Sequence, residues 1–125
     1  MEVLAVKDLI DFSTEKRVRK ALVKSGGLTA ELVCYEPGQH TLTHHHPNQD
    51  EIFYVVEGNG VMQVGEEQVA VAPGSVVFVS DHTQHGITAS AGTRLVVLFV
   101  KGPGTRRFDG PLNTATTTAN LKTAS

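Results

Sequence analysis

A chain of 125 residues fits one domain with a real core and is too short for two ordinary ones. Its composition, 40% hydrophobic and 19% charged with 12 glycines and 5 prolines, is globular and turn-rich and excludes a disordered chain. With 11 basic and 13 acidic residues the net charge is -2, too weak a field to favour nucleic acid or an anionic membrane, and neither is expected as a partner.

The first residues show no secretory pattern. Met1 is followed by Glu2 and Asp8, without a basic start, an apolar core or a small-residue cleavage site. No apolar run reaches the roughly 20 residues of a spanning helix. The single cysteine, Cys34, has no internal disulfide partner and sits in an apolar strand pattern, which predicts a buried thiol. A reducing cytoplasm is the expected location.

Taken in order, Val3-Leu4-Ala5-Val6 reads as a short β-like start, and Leu9, Ile10 and Phe12 as one helical turn or an apolar tether. Arg17 to Lys24 alternates like a strand and closes at Ser25-Gly26-Gly27. Its basic run, Lys16 to Lys20, reads as the solvated face or edge of that strand. Leu28 to Tyr35 is the next strand, ended by the turn at Pro37-Gly38. Strands then follow at Val61 to Val64, Gln68 to Ala72, Ser75 to Val79, His85 to Thr88 and Arg94 to Val100, each closed by Gly, Pro or a polar turn. No helix of ordinary length is predicted. Short β-branched runs at this regular spacing signal an all-β sandwich or barrel. The domain is expected to end near Lys101, because Gly102-Pro103-Gly104 breaks strands; residues 102–125 form a Thr/Ala-rich tail, either disordered or packed on a partner subunit.

The chemistry is concentrated in Gly38 to Gly58, GQHTLTHHHPNQDEIFYVVEG. Successive strand side chains point to opposite faces, so His44 and His46 share a face. Pro47 to Asp50 reads as a turn, and Glu51 to Val56 as a return strand. Adjacent strands lie about 4.8 Å apart, which lets Glu51 reach the point where the two imidazoles converge. The bland alternative is an exposed polar turn that binds nothing. Phe53 and Val55 share parity with Glu51 and are expected to line the cavity beside the metal, while Tyr54 packs outside. His40 has the parity of His44 and His46 if the strand is continuous, making it an internal general base or support; otherwise it sits at the barrel mouth. His82, in the turn Ser80 to Gln84, is either a ligand-binding gate or a solvated loop residue.

Gly38-x5-His44-x-His46-x4-Glu51-x6-Gly58 resembles, position for position, the first motif of the cupin superfamily of small β-barrels. The second motif, Gly-x5-Pro-x-Gly-x2-His-x3-Asn, is matched by Gly74 and His85 but not by Ser80, His82 or Ala89, which replace its proline, glycine and asparagine. The resemblance spans Leu28 to Val100. It implies an all-β double-stranded jelly roll in which His44, His46, Glu51 and His85 hold one divalent metal ion. Such an N3O set suits Zn, Mn, Fe, Ni, Co or Cu, and an octahedral ion would keep two positions open. Open positions favour a small-molecule ligand or substrate with oxygen donors.

Three functional readings follow. One is a metal-dependent enzyme of dioxygenase, isomerase or lyase type, with Glu51 also moving a proton. Another is a binding or sensor barrel without turnover, and a third is a metal that only clamps the fold. Hydrophobic residues at both parities in Val76 to Val79 and Leu95 to Val100 predict that both sheet faces are covered, and similar small cupins are commonly dimers, so a homodimer is expected.

Overall fold

The computed structural model describes residues 1–45 and 47–104, with Thr43 and His44 described through their backbone alone. The alternating runs become nine strands: β1 (Val18–Lys24), β2 (Thr29–Tyr35), β3 (His40–His44), β4 (Gln49–Glu57), β5 (Gly60–Val64), β6 (Glu67–Val71), β7 (Val76–Val79), β8 (His85–Ala89) and β9 (Leu95–Pro103). They pair antiparallel in two sheets, ordered β1-β2-β9-β4-β7 and β3-β8-β5-β6. This is the expected double-stranded jelly roll. Among the described residues the helical structure is one 3-10 turn, Val6–Asp8.

Inward positions of both sheets meet in one core. Val33, Tyr35, Phe53, Val55, Leu95, Val97 and Phe99 face Met62, Val71, Ile87 and Ala89 across it. The period of two is clean on β4, where Glu51, Phe53 and Val55 are buried while Ile52 and Tyr54 are exposed, as the parity requires.

A second, smaller cluster lies on the outside of the larger sheet. Leu32, Cys34 and Val96 are covered there by Val6, Leu9, Ile10 and Phe12. The first residues therefore act as the apolar tether, and the β-like start expected at Val3 to Val6 is no strand. Phe12 is fixed by the guanidinium of Arg94, 4.4 Å above its ring, and Arg94 is also paired with Glu36 at 2.7 Å. Cys34 is buried in this cluster, and burial pushes its thiol pKa up. Part of the cover expected from a second subunit is thus supplied within the chain. Further along the same outer face, Ile52, Tyr54, Val76 and Phe78 remain 39–46% exposed.

Two glycines take left-handed conformations that their turns require. In the Glu36–Gln39 turn the Gln39 amide donates to the Glu36 carbonyl at 3.0 Å, and Gly38 takes φ 82°, as the third residue of a type II turn requires. Gly58 has φ 79°, and a Cβ there would sit on the carbonyl oxygen of Arg94. It lets the chain leave β4 directly against the start of β9.

Two boundaries differ from expectation. The turn after β3 is shorter than Pro47 to Asp50, because Asn48 takes the left-handed φ of 64° and lets Gln49 and Asp50 join β4. The last strand runs past Lys101, with Gly102 opposite Asp50 and Pro103 opposite Gln49. Proline is tolerated there because the ladder ends at that residue. The rest of the expected tail, residues 105–125, lies outside the described residues.

Candidate metal centre

Glu51 and His85 reach the interior from opposite sheets. Glu51 is the third residue of β4, flanked in register by Val79 of β7 and Lys101 of β9; His85 opens β8, flanked by His44 of β3 and Val64 of β5. Each is 2% exposed, and His85 Nε2 stands 3.2 Å from Glu51 Oε1. The other ring nitrogen, Nδ1, is 2.9 Å from the carbonyl oxygen of Thr83. A carbonyl only accepts, so Nδ1 carries a proton, and Nε2 is the atom whose lone pair can ligate in the neutral ring.

Nε2 and Oε1 at this separation need a positive species between them, a proton or a cation. Without metal, a proton on Nε2 meets that need. Burial pushes the His85 pKa down, but donation to the Glu51 carboxylate, donation to the Thr83 carbonyl and the Glu51 charge outweigh it and hold the imidazole above its usual value; Lys101 opposes them slightly. Two donors each about 2.1 Å from one ion, at close to a right angle, stand about 3 Å apart. The observed 3.2 Å therefore fits a shared divalent ion.

The remaining ligand positions are only partly described. The backbone of His44 lies directly opposite that of His85, which brings the two histidine positions together. His46 lies outside the described residues. Among the described residues no three His, Cys, Asp or Glu side chains converge.

Phe53 is the wall behind this pair. Its ring stands edge-on to His85 at 5.3 Å and to Phe99 at 4.5 Å between centroids, and it is 1% exposed. Phe53 and Val55 both belong to the buried core, and neither borders the cavity on the other side of Glu51 as expected. One face of Glu51 opens on a cavity of about 370 Å³ that is also lined by Arg17, Arg19, Glu31, Thr41, Phe99 and Lys101.

His40 is not in that cavity. The pairing passes from Thr41↔Ile87 to His44↔His85, so three residues of β3 span two of β8. This bulge breaks the continuity that an inward His40 needs, and Thr41 takes the cavity side instead. His40 is exposed and borders a separate groove with Val61, Gln63 and Thr88.

Comparison with known proteins agrees with this architecture. A cupin domain model matches residues 31–101, more than half of the chain. The chain belongs to the cupin family. The TT1209 protein of Thermus thermophilus is 30% identical with a TM-score of 0.79, over 84% of this cupin and 100% of that chain. KdgF from a Halomonas species shares the fold at 24% identity and a TM-score of 0.71, over 87% of this chain and 97% of its own. An uncharacterized protein of Methanocaldococcus jannaschii is 32% identical over 66 residues, so the match spans about half of each chain, 53% in both cases.

Set against the second cupin motif, the three departures each have a structural outcome. His82, at the glycine position, adopts φ 64°, the left-handed conformation that glycine reaches without strain. Its Nδ1 is 3.3 Å from Asp81 Oδ2, its ring stacks 6.4 Å from that of His45, and it does not border the cavity beside Glu51. Ser80, at the proline position, pairs its hydroxyl with that of Thr83 at 3.1 Å and so helps fix the carbonyl that holds His85. Ala89, at the asparagine position, is buried in the core, and its backbone pairs with Gly38 and Gln39.

The cationic lining is what the sequence pattern does not announce. Basic alternation assigns Arg17 and Arg19 to a solvated edge, and the glycine-proline stop assigns Lys101 to a strand end. The signal that could have found them is parity: Lys101 continues the inward series Leu95, Val97, Phe99, and Glu31 precedes the inward Val33 and Tyr35.

Proposed function

We propose that this cupin is a metal-dependent enzyme acting on a small oxygen-bearing molecule, by dioxygenase, isomerase or lyase chemistry. The observation that carries the reading is the buried Glu51–His85 pair, 3.2 Å apart, whose Glu51 also lines a cavity open to solvent. His44, His46, Glu51 and His85 would hold the ion, which would polarise a bound oxygen and lower the pKa of whatever carries it. The chain's own contributions follow from their surroundings. Thr83 fixes the His85 tautomer, and Phe53 with Phe99 keeps water from the inner side of the pair. Glu51 Oε1 is the carboxylate atom able to take up and return a proton at the reacting centre.

The test begins with metal analysis of tag-free protein and of His85→Ala. A screen of oxygenated small molecules with iron or manganese, under air and under nitrogen, then separates oxygen chemistry from isomerisation or lysis. Stoichiometric metal without turnover of any compound would instead favour a binding barrel.

The same reading includes a homodimer. Ile52 stands opposite Phe78 and Tyr54 opposite Val76, giving an apolar patch beside the outer edge of β7 that a two-fold axis would match with itself. Ile52→Lys with Phe78→Glu converts a dimer to a monomer in light scattering; a monomeric parent refutes it.

A further inference from the structure

The charge on the cavity wall is uneven. Arg17, Arg19 and Lys101 face Glu31 and Glu51 across about 370 Å³, near the small end of ligand pockets. Arg19 is already satisfied, since its Nε and Nη2 donate to both oxygens of Glu31 at 3.0 Å. Glu51 belongs to the metal pair. Arg17 and Lys101 are left over, and among the described residues neither forms an ion pair or side-chain hydrogen bond.

Inward charges on an edge strand are a common guard against edge-to-edge aggregation, and β1 is an edge strand. That explains Arg19 and its partner. It does not explain Lys101, because β9 lies between β2 and β4 in the middle of the sheet. Lys101 occupies the inward position after Phe99 and is the register partner of Glu51 on the neighbouring strand. A half-buried cation placed next to a cation site raises the cost of metal binding unless an anion lies between them.

We propose that Arg17 and Lys101 form a carboxylate subsite, and that the ligand of this cavity is a small oxygen-bearing carboxylic acid with its carboxylate on these two side chains and its other oxygen toward Glu51 and His85. The proposal rests on the metal-site reading for the ligand's second end only. With Arg19 paired to Glu31 and Glu51 turned to His85, Arg17 and Lys101 remain as two donors on the same lining, and the two oxygens of one carboxylate can accept from both. Thr41, whose hydroxyl is held at 2.8 Å by that of Tyr35, supplies a neutral polar contact on the opposite wall.

The test is calorimetric and NMR titration of the full chain, with and without zinc. The probes are pyruvate, malonate and 2-oxoglutarate, each beside its neutral methyl ester, and inorganic phosphate. The variants are Arg17→Gln, Lys101→Gln and their double, with Lys7→Gln/Lys24→Gln matching the change in net charge. We expect at least one free acid to bind while its ester does not, and each site variant to weaken it about tenfold or more, the usual scale for a hydrogen bond to a charged group. The control keeps parental affinity, and all variants keep the parental zinc stoichiometry and fold by circular dichroism. Equal binding by the double variant, equal binding of ester and acid, no binding of any acid, or phosphate binding at the same residues overturns the proposal. Loss of zinc binding by the parent chain would instead strike the metal reading, and the zinc-free titrations still decide the anion subsite.

Discussion

Phe53→Ala separates the support of the metal pair from the pair itself. The phenyl ring is 1% exposed and wedged between His85 and Phe99. Removing a fully buried phenylalanine side chain costs about 3–5 kcal/mol, of which the two edge-to-face contacts account for about 1–3 kcal/mol. Phe53→Leu keeps much of the volume and loses mainly the ring contacts, so it should cost about 1–3 kcal/mol. For a domain of about 100 residues each kcal/mol moves Tm by about 4–8 °C, so Phe53→Ala should lower it by at least about 12 °C and Phe53→Leu by about 4 °C or more. The assay is thermal denaturation by circular dichroism, with and without saturating zinc. Because His85 loses its ring support, the rise in Tm that zinc gives the parent should shrink in both variants. A Phe53→Ala protein that melts within about 5 °C of the parent, or that gains as much from zinc, refutes the view that this ring braces the site.

Acidity should act with opposite signs on the two forms. The metal-free protein gains stability from protonated His85 beside Glu51, because the folded pKa is raised; that gain is present below the unfolded value of 6.5 and is lost as pH rises through the higher folded value. Metal binding must displace the same proton, so zinc stabilisation should grow across that window, and chelator-treated and zinc-loaded melts between about pH 5 and 8 check it; parallel curves would contradict the shared position. Gly58→Ala should destabilise the fold by more than the roughly 1 kcal/mol of a left-handed residue, since its Cβ meets backbone rather than a movable side chain; an unchanged urea midpoint would contradict this. Cys34 should resist thiol reagents in the native state and react rapidly in denaturant, its pKa being raised by burial; fast native labelling would show that the N-terminal cover opens freely.

The strands and the inward set Glu51, Phe53 and Val55 were legible because period-two alternation and the glycine and proline stops point to one answer, whereas His85 was picked out by its resemblance to the second cupin motif. The failures have separate causes. His40 loses the inward one of its two expected places through one extra residue in β3, and alternation carries no record of a bulge. Val55 has the right face but the wrong depth, since parity does not say where along a strand a core ends and a cavity begins. Pro103 reads as a stop and is instead the last rung of β9. The left-handed turn at His82 shows in the sequence only as a departure from a motif, and the backbone alone reveals that the conformation survives the substitution.

The hydrogen bond between Tyr35 and Thr41 links the two sheets behind one wall of the cavity. It joins β2 of one sheet to β3 of the other through side chains at 2.8 Å, where the neighbouring strands of each sheet are joined by whole ladders. One such bond contributes about 1 kcal/mol, so the apolar core shared by the two sheets, rather than this contact, holds them together. Burial pushes the Tyr35 pKa up to about 12, so the phenol keeps its proton across the physiological range and the hydrogen bond does not respond to pH. The contact that supports the Thr41 wall is therefore insensitive to the acidity that decides whether His85 Nε2 carries a proton.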